Sequence, residues 1–248
     1  MSETPDLSGR VALVTGASRG IGYHLATQMA AAGAHVIAVA RTVGGLEELD
    51  DEIKAAGGQA TLVPLDLSDM AGIDRLGGAI NDRWGKLDIL VANAAVLGVI
   101  APIGHVQAKV FDNVMTMNVT SVWRLIRSVD PLLRKSDAGR AILMSSGVAH
   151  TARAFWAPYA ASKAAVEVLA RSWAEETQNS PLRVNSVNPG ATRTKMRAAA
   201  MPGEDPQTLP HPAEVAAKIL PLTSANLKET GGLFDVRQNR FLSYHLPE

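Results

Sequence analysis

Short runs of apolar and β-branched residues recur along this chain, separated by longer stretches in which apolar positions return every three or four residues. The runs Val11–Val14, His35–Val39, Ala60–Val63, Leu87–Val91, Ala141–Met144 and Arg183–Val187 read as strands. Most are apolar at successive positions, as in strands covered on both faces. Ile21–Ala32, Leu46–Ala56, Met70–Trp84, Gln107–Leu133 and Pro158–Gln178 read as helices rich in alanine and leucine. Gly33, Gly57 and Gly58 stand where helix carboxyl ends are expected, and Pro158 where a helix begins. The strand–helix–strand rhythm predicts an α/β fold: a parallel sheet with helices on both faces. No linker rich in Pro, Gly or Ser divides the chain, so residues 1–248 read as one domain. Residues 195–212 break the rhythm: Lys195–Met201 suits a short helix, and Pro202, Pro206, Pro210 and Pro212 follow. Such a segment is a substrate lid or a plain surface loop. Its place after a strand of the C-terminal half favours the lid.

Composition narrows the function classes. At 248 residues the chain can bury a sizeable core, with 47% hydrophobic and 19% charged residues. Net charge is zero and no basic block appears, so nucleic acid is not the expected partner. The absence of cysteine removes disulfides, thiol nucleophiles and Cys-ligated zinc. The histidines at 24, 35, 105, 150, 211 and 245 show no ligand spacing, so no metal is expected. The start Met1–Asp6 is acidic and polar, unlike a signal peptide, and no apolar run reaches the ~18 residues of a membrane span. The expected compartment is the cytoplasm.

Two places carry chemistry. Thr15-Gly16-Ala17-Ser18-Arg19-Gly20-Ile21-Gly22 follows the first strand and opens the first helix. Glycines allow a tight turn and close approach of backbone amides to phosphate, and the helix dipole favours the same charge. The second strand ends in Arg41-Thr42 with no acid that would bind a ribose 2′-hydroxyl. Arg19 and Arg41 can instead fork onto a 2′-phosphate, which favours NADP(H) over NAD(H); the alternative is that both merely cover the surface. The other place is Tyr159 and Lys163, at i and i+4, which one helix face brings together. A nearby ammonium favours the phenolate, so Tyr159 is expected to titrate below the usual ~10 and to pass a proton. Ser146 stands thirteen positions earlier (159 − 146 = 13).

Together these motifs resemble the short-chain dehydrogenase/reductase family in its common form of ~250 residues, over nearly the whole chain. The resemblance implies a single-domain Rossmann-type, doubly wound parallel sheet of about seven strands. It implies that the turn from Gly16 to Gly22 holds the cofactor pyrophosphate. Asp66-Leu67 resembles the pair beside the adenine, and Asn93-Ala94 lies in a segment after the fourth strand. Pro189, Gly190, Thr192 and Thr194 resemble the segment beside the nicotinamide. The family's roles would make Tyr159 the general acid/base and Lys163 its tuner and ribose ligand. Ser146 would bind the substrate oxygen, and Asn118 would hold a water of a proton relay. The implied reaction is hydride transfer to a ketone or aldehyde, possibly a 3-oxoacyl compound, with Val148, His150, Trp156 and Met196 near the substrate. An NAD-dependent secondary alcohol dehydrogenase and a non-catalytic cofactor sensor are the alternatives. A small-molecule substrate and a homodimer or homotetramer are the expected partners. The chain departs from the family pattern at Ala92 and Ala95, and at 235–241, where many members carry a glycine pair.

Overall fold

The computed structural model describes residues 4–244. Half of the acidic start, Met1–Glu3, and His245 therefore lie outside the described residues. Eight strands form one sheet: β1 Val11–Thr15, β2 His35–Ala40, β3 Gln59–Pro64, β4 Ile89–Ala92, β5 Arg140–Met144, β6 Arg183–Asn188, β7 Leu233–Asp235 and β8 Arg240–Leu242. Their order is β3-β2-β1-β4-β5-β6-β7-β8. All pairings are parallel except β7 with β8. The expected count of about seven falls one short. β7 and β8 have three residues each, too few to show a period, and the ring of Phe234 on Phe241 at 5.3 Å holds them together.

The helices are α1 Gly20–Ala31, α2 Val43–Ala55, α3 Met70–Trp84, α4 Ala108–Met115, α5 Ser121–Leu133, α6 Val148–Thr151, α7 Ala157–Thr177, α8 Lys195–Ala200 and α9 Pro212–Ile219. The stretch expected as one helix over Gln107–Leu133 is α4 and α5 joined by a wide π turn at Thr116–Thr120. Such a turn leaves the apolar period almost unchanged, so the sequence hides it. α9 starts where only a proline-rich loop was expected. His211 accepts from the Ala213 amide (3.2 Å) and Glu214 from the His211 amide (3.2 Å), a reciprocal cap, with Pro212 in the first turn.

Period-2 alternation sorts the strands onto two cores. Ala12, Val14, Val36 and Ala38 face Leu25, Met29, Leu49 and Val215 of α1, α2 and α9. Leu13, Ile37, Leu90 and Leu143 face Ile73, Leu125, Val129, Val166 and Trp173 of α3, α5 and α7. Because β1 is flanked by β2 on one side and β4 on the other, successive connections leave to opposite sides there. A crevice opens beyond the carboxyl ends of these strands, where ligands bind in such sheets.

Candidate active site

A cleft of about 1530 Å³ occupies that crevice. At one end, Thr15 closes β1 and its Oγ1 accepts from the amides of Asn93 (3.0 Å) and Ala94 (3.1 Å). Asn93 Nδ2 donates to the carbonyls of Thr15 (2.9 Å) and Gly16 (3.3 Å). The exit of β4 is thus laced to the first turn. Gly16 has φ +68°, and a Cβ there would stand 2.8 Å from Asn93 Nδ2; at Gly22 it would stand 2.4 Å away. Both glycines are therefore steric requirements of the lacing. The first turn of α1 has neither a side-chain cap nor an acid. Gly16, Ser18, Arg19, Gly20 and Ile21 all line the cleft. Uncapped amides at a helix start fit a pyrophosphate, so the residues present suit a dinucleotide cofactor.

Arg41 lines the same end, its Nη1 3.6 Å from Asp66 Oδ2. Asp66 Oδ1 accepts from the Ser68 amide and hydroxyl, both at 2.9 Å. The Ser68 amide, then its hydroxyl and Arg41, hold this carboxyl below the usual range against partial burial. Asp66 thus braces a turn and a guanidinium, while its neighbour Leu67 lines the cleft.

The chemistry-bearing side chains stand at the other end. α7 begins with proline in its first turn, and places Tyr159 and Lys163 one turn apart on its buried side. Tyr159 and Ser146 line the cleft, as does Lys163, whose Nζ donates to the Met144 carbonyl at 2.7 Å. The ammonium sits 5.7 Å from the Tyr159 ring centre. Burial pushes the Tyr159 phenol up to about 12, and burial draws Lys163 down to about 8, with Glu167 opposing. This reverses the expected direction for Tyr159: the lysine is aimed at a backbone carbonyl, so desolvation prevails. Burial thus favours the protonated phenol.

Asn118 is fully buried in the π turn. Its Oδ1 accepts from the Val96 amide (2.8 Å), and its Nδ2 donates to the Val96 carbonyl (2.9 Å) and Ser162 Oγ (3.0 Å). Its side chain joins β4's exit loop to α7. Gly190 has φ +72°, and Asn188 accepts from its amide (3.1 Å) while donating to Asp235 (2.8 Å). Pro189, Gly190, Thr192 and Thr194 follow along the cleft wall, and Thr194 caps α8 through the Arg197 amide at 3.2 Å.

Residues 10–205 match the family described as short chain dehydrogenase. The chain is a short-chain dehydrogenase/reductase. It is 39% identical over 238 residues to the uncharacterized oxidoreductase YciK of Escherichia coli K12, covering 94% of each chain. A short chain dehydrogenase of Shigella flexneri 2a crystallised with NADP superposes with a TM-score of 0.90 at 38% identity, over 95% of this chain and 100% of that one. Another, from E. coli CFT073 with NADPH, superposes at 0.88 and 38% over 95% and 99%. Membership makes the protein an NAD(P)-dependent oxidoreductase with a Rossmann-type sheet.

Val148, Trp156, Met196 and Met201 gather around Tyr159, joined by Leu97 and Ile100, which the motifs did not single out. Spacing could not reveal those two, because they come from the loop after β4. His150 does not join them: it turns away from the cleft, pairs with Glu167 and lines a smaller hollow of about 730 Å³ with Arg240 and Tyr244. The one-turn helix α6 rotates it there. Phe155 also points outward, 55% exposed. Gly22, Asp66 and Asn118 support the walls without lining them.

Proposed function

We propose that this dehydrogenase reduces a ketone or aldehyde to an alcohol with NADPH. One observation carries the reading: Ser146 and Tyr159 share a wall of the cleft whose far end carries Arg19 and Arg41. Those two guanidiniums suit a 2′-phosphate, and two relatives were crystallised with NADP or NADPH. When bound, the cofactor supplies a hydride to the carbonyl carbon. Tyr159, protonated up to about 12, delivers the proton to the carbonyl oxygen. The Ser146 hydroxyl donates to the same oxygen and stabilises its developing charge. Lys163, drawn down to about 8, exchanges protons near neutrality behind the tyrosine. Trp156, Leu97, Ile100 and Met196 give the carbonyl an apolar berth, and α8 with residues 201–212 acts as its lid. A second copy of the chain packs on the outer faces of α4, α5 and α7, where Phe111, Trp123 and Val168 are exposed. Sedimentation as a monomer would exclude that partner.

The test is NADPH absorbance loss with a panel of 3-oxo esters, aryl ketones and aldehydes. Tyr159→Phe should lower kcat about 10³-fold and leave NADPH binding intact. NADPH should bind more tightly than NADH. A variant that keeps most of its rate ends the proton-transfer role, and tighter NADH ends the phosphate argument.

A further inference from the structure

Glu167 is buried, 3% exposed, one turn past Lys163 on α7. The hydride and proton transfers do not use it. Its carboxylate accepts from Ser145 Oγ and pairs with His150 Nε2 at 2.9 Å. Those partners bracket Ser146 in the chain, one residue before it and four after. Lys163 meanwhile donates to the carbonyl of Met144. Two side chains four residues apart on α7 thus grip consecutive residues at the end of β5, and Glu167 alone also grips α6 on the far side of Ser146.

A buried carboxylate is costly unless its oxygens are satisfied, and here the satisfying donors are the flanks of a reacting hydroxyl. The other charged and titratable groups around it are Lys163 and Arg171 on the same helix, His150 on α6, and Tyr244 near the carboxyl end. Arg171 lies over the Tyr244 ring at 4.3 Å, and the His150 and Tyr244 rings are 6.2 Å apart. Burial raises the Tyr244 phenol, and the charge of Glu167 adds to this. Glu167 therefore faces a neutral phenol and an imidazole on one side and the catalytic ammonium on the other.

We propose that Glu167 is a positioning residue: by holding Ser145 and His150 it fixes where the Ser146 hydroxyl meets the substrate oxygen. This rests on the reading of Ser146 as the hydroxyl that binds that oxygen. The same carboxylate favours the charged form of Lys163, against the burial that opposes it. Glu167→Ala removes both effects. Glu167→Gln keeps one oxygen that accepts from Ser145, turns the other into an amide NH2 that faces His150, and removes the charge.

The experiment compares Glu167→Ala, Glu167→Gln and Tyr159→Phe in the full chain, using NADPH and the fastest carbonyl of the panel. Glu167→Ala should bind NADPH within about twofold of wild type and lose about 10²-fold in kcat, as for a displaced reacting group. Glu167→Gln should keep most of its neutral rate and move the alkaline limb of kcat down by about half a pH unit or more. A folded Glu167→Ala with kcat within threefold of wild type overturns the proposal. So does a Glu167→Gln pH profile that superposes on wild type, and this decides the matter should the alanine variant not fold. Inactive Tyr159→Phe beside wild-type-like Glu167 variants removes this inference alone. An active Tyr159→Phe, or a wild type that reduces no carbonyl, removes the site reading and this proposal with it.

Discussion

The two ends of the sheet treat polar groups in opposite ways. At the amino ends, Asp88 is wholly buried and accepts from the Val11 amide (2.9 Å), Ser136 Oγ (2.6 Å), Lys86 Nζ (3.0 Å) and Arg10 Nη1 (3.1 Å). Arg140, also buried, donates to the carbonyls of Gly139, Pro181, Ser224, Ala225 and Leu227. At the carboxyl ends, among the described residues, the α1 amides have no side-chain cap, and Ser146 Oγ has only a 3.5 Å contact from the Val148 amide. All three described non-glycine residues with positive φ, Ala152, Phe155 and Asn239, also lie on this side. Saturated polar groups hold the amino side, whereas on the carboxyl side braced groups such as Asn118 and Glu167 stand beside undersatisfied or strained ones that a ligand could complete.

The sharpest way to break this contrast is Lys163→Met, which should separate activity from stability. The ammonium is buried with one hydrogen bond, so removing it should cost about 10²–10³ in kcat and leave stability equal or higher. Burial draws the folded ammonium down to about 8, below the ordinary lysine value of 10.5. Between those values the unfolded chain holds a proton that the folded chain has released. Wild-type stability should therefore rise with pH across that window, and Lys163→Met should lack the rise. Denaturation from pH 7 to 10.5 reads the difference; parallel curves would show that the burial of this charge is not strained.

Asp88→Ala probes the other end. It orphans a buried hydroxyl and amide and should cost about 3 kcal/mol, with kcat per folded molecule unchanged. Burial alone would raise the Asp88 carboxyl, but its donors outweigh that and hold it below the usual range. Its contribution is thus fully present above the ordinary carboxylate pKa of about 4 and is lost as pH falls through the depressed folded value. Acid unfolding of Asp88→Ala should show a shallower limb than wild type. A fall in kcat with unchanged stability would invert the comparison.

How much of this could be read beforehand depended on what each feature requires. Five of the six longer strands were legible because burial on both faces favours an apolar run, and the half-buried edge strand β3 through its short run Ala60–Val63. β8 was not, because its three residues are held by one ring contact and an antiparallel hairpin. Tyr159, Lys163 and Ser146 were legible through spacing and order, since a helix turn fixes i and i+4. The direction of the Tyr159 shift was not, because it depends on which acceptor Lys163 reaches. His150 looked near the site in sequence, yet the single turn of α6 carries it behind the wall. Glu167 was findable: 159, 163 and 167 form one stripe at helical spacing, but a stripe does not say that its last member is buried.

Arg41 tests the cofactor end on a smaller scale. Its guanidinium is half-exposed and only loosely tied to Asp66. Arg41→Ala should weaken NADPH about tenfold, leave NADH unchanged, and barely move stability, since an exposed pair contributes little. Equal losses for both cofactors, measured by fluorescence titration, would reduce Arg41 to a brace for Asp66.

The smallest effect should come from the strained loop between Ser146 and Tyr159. Phe155 has φ +73°, and its carbonyl accepts from the Ala101 amide at 3.1 Å. A bulky residue in this region costs about 1–2 kcal/mol, and glycine there costs about 0.5–1 kcal/mol in chain entropy. With the ring more than half exposed, little burial is lost, so Phe155→Gly should stabilise by about 0.5 kcal/mol. The same change loosens the segment that carries Trp156 to the substrate. KM for the carbonyl should rise about twofold while NADPH affinity stays constant. Stability gained together with substrate affinity lost would show that strain on the carboxyl side of the sheet serves the site. If Phe155→Gly destabilises instead, the left-handed turn is held by packing of the ring, and the strain argument for this edge fails.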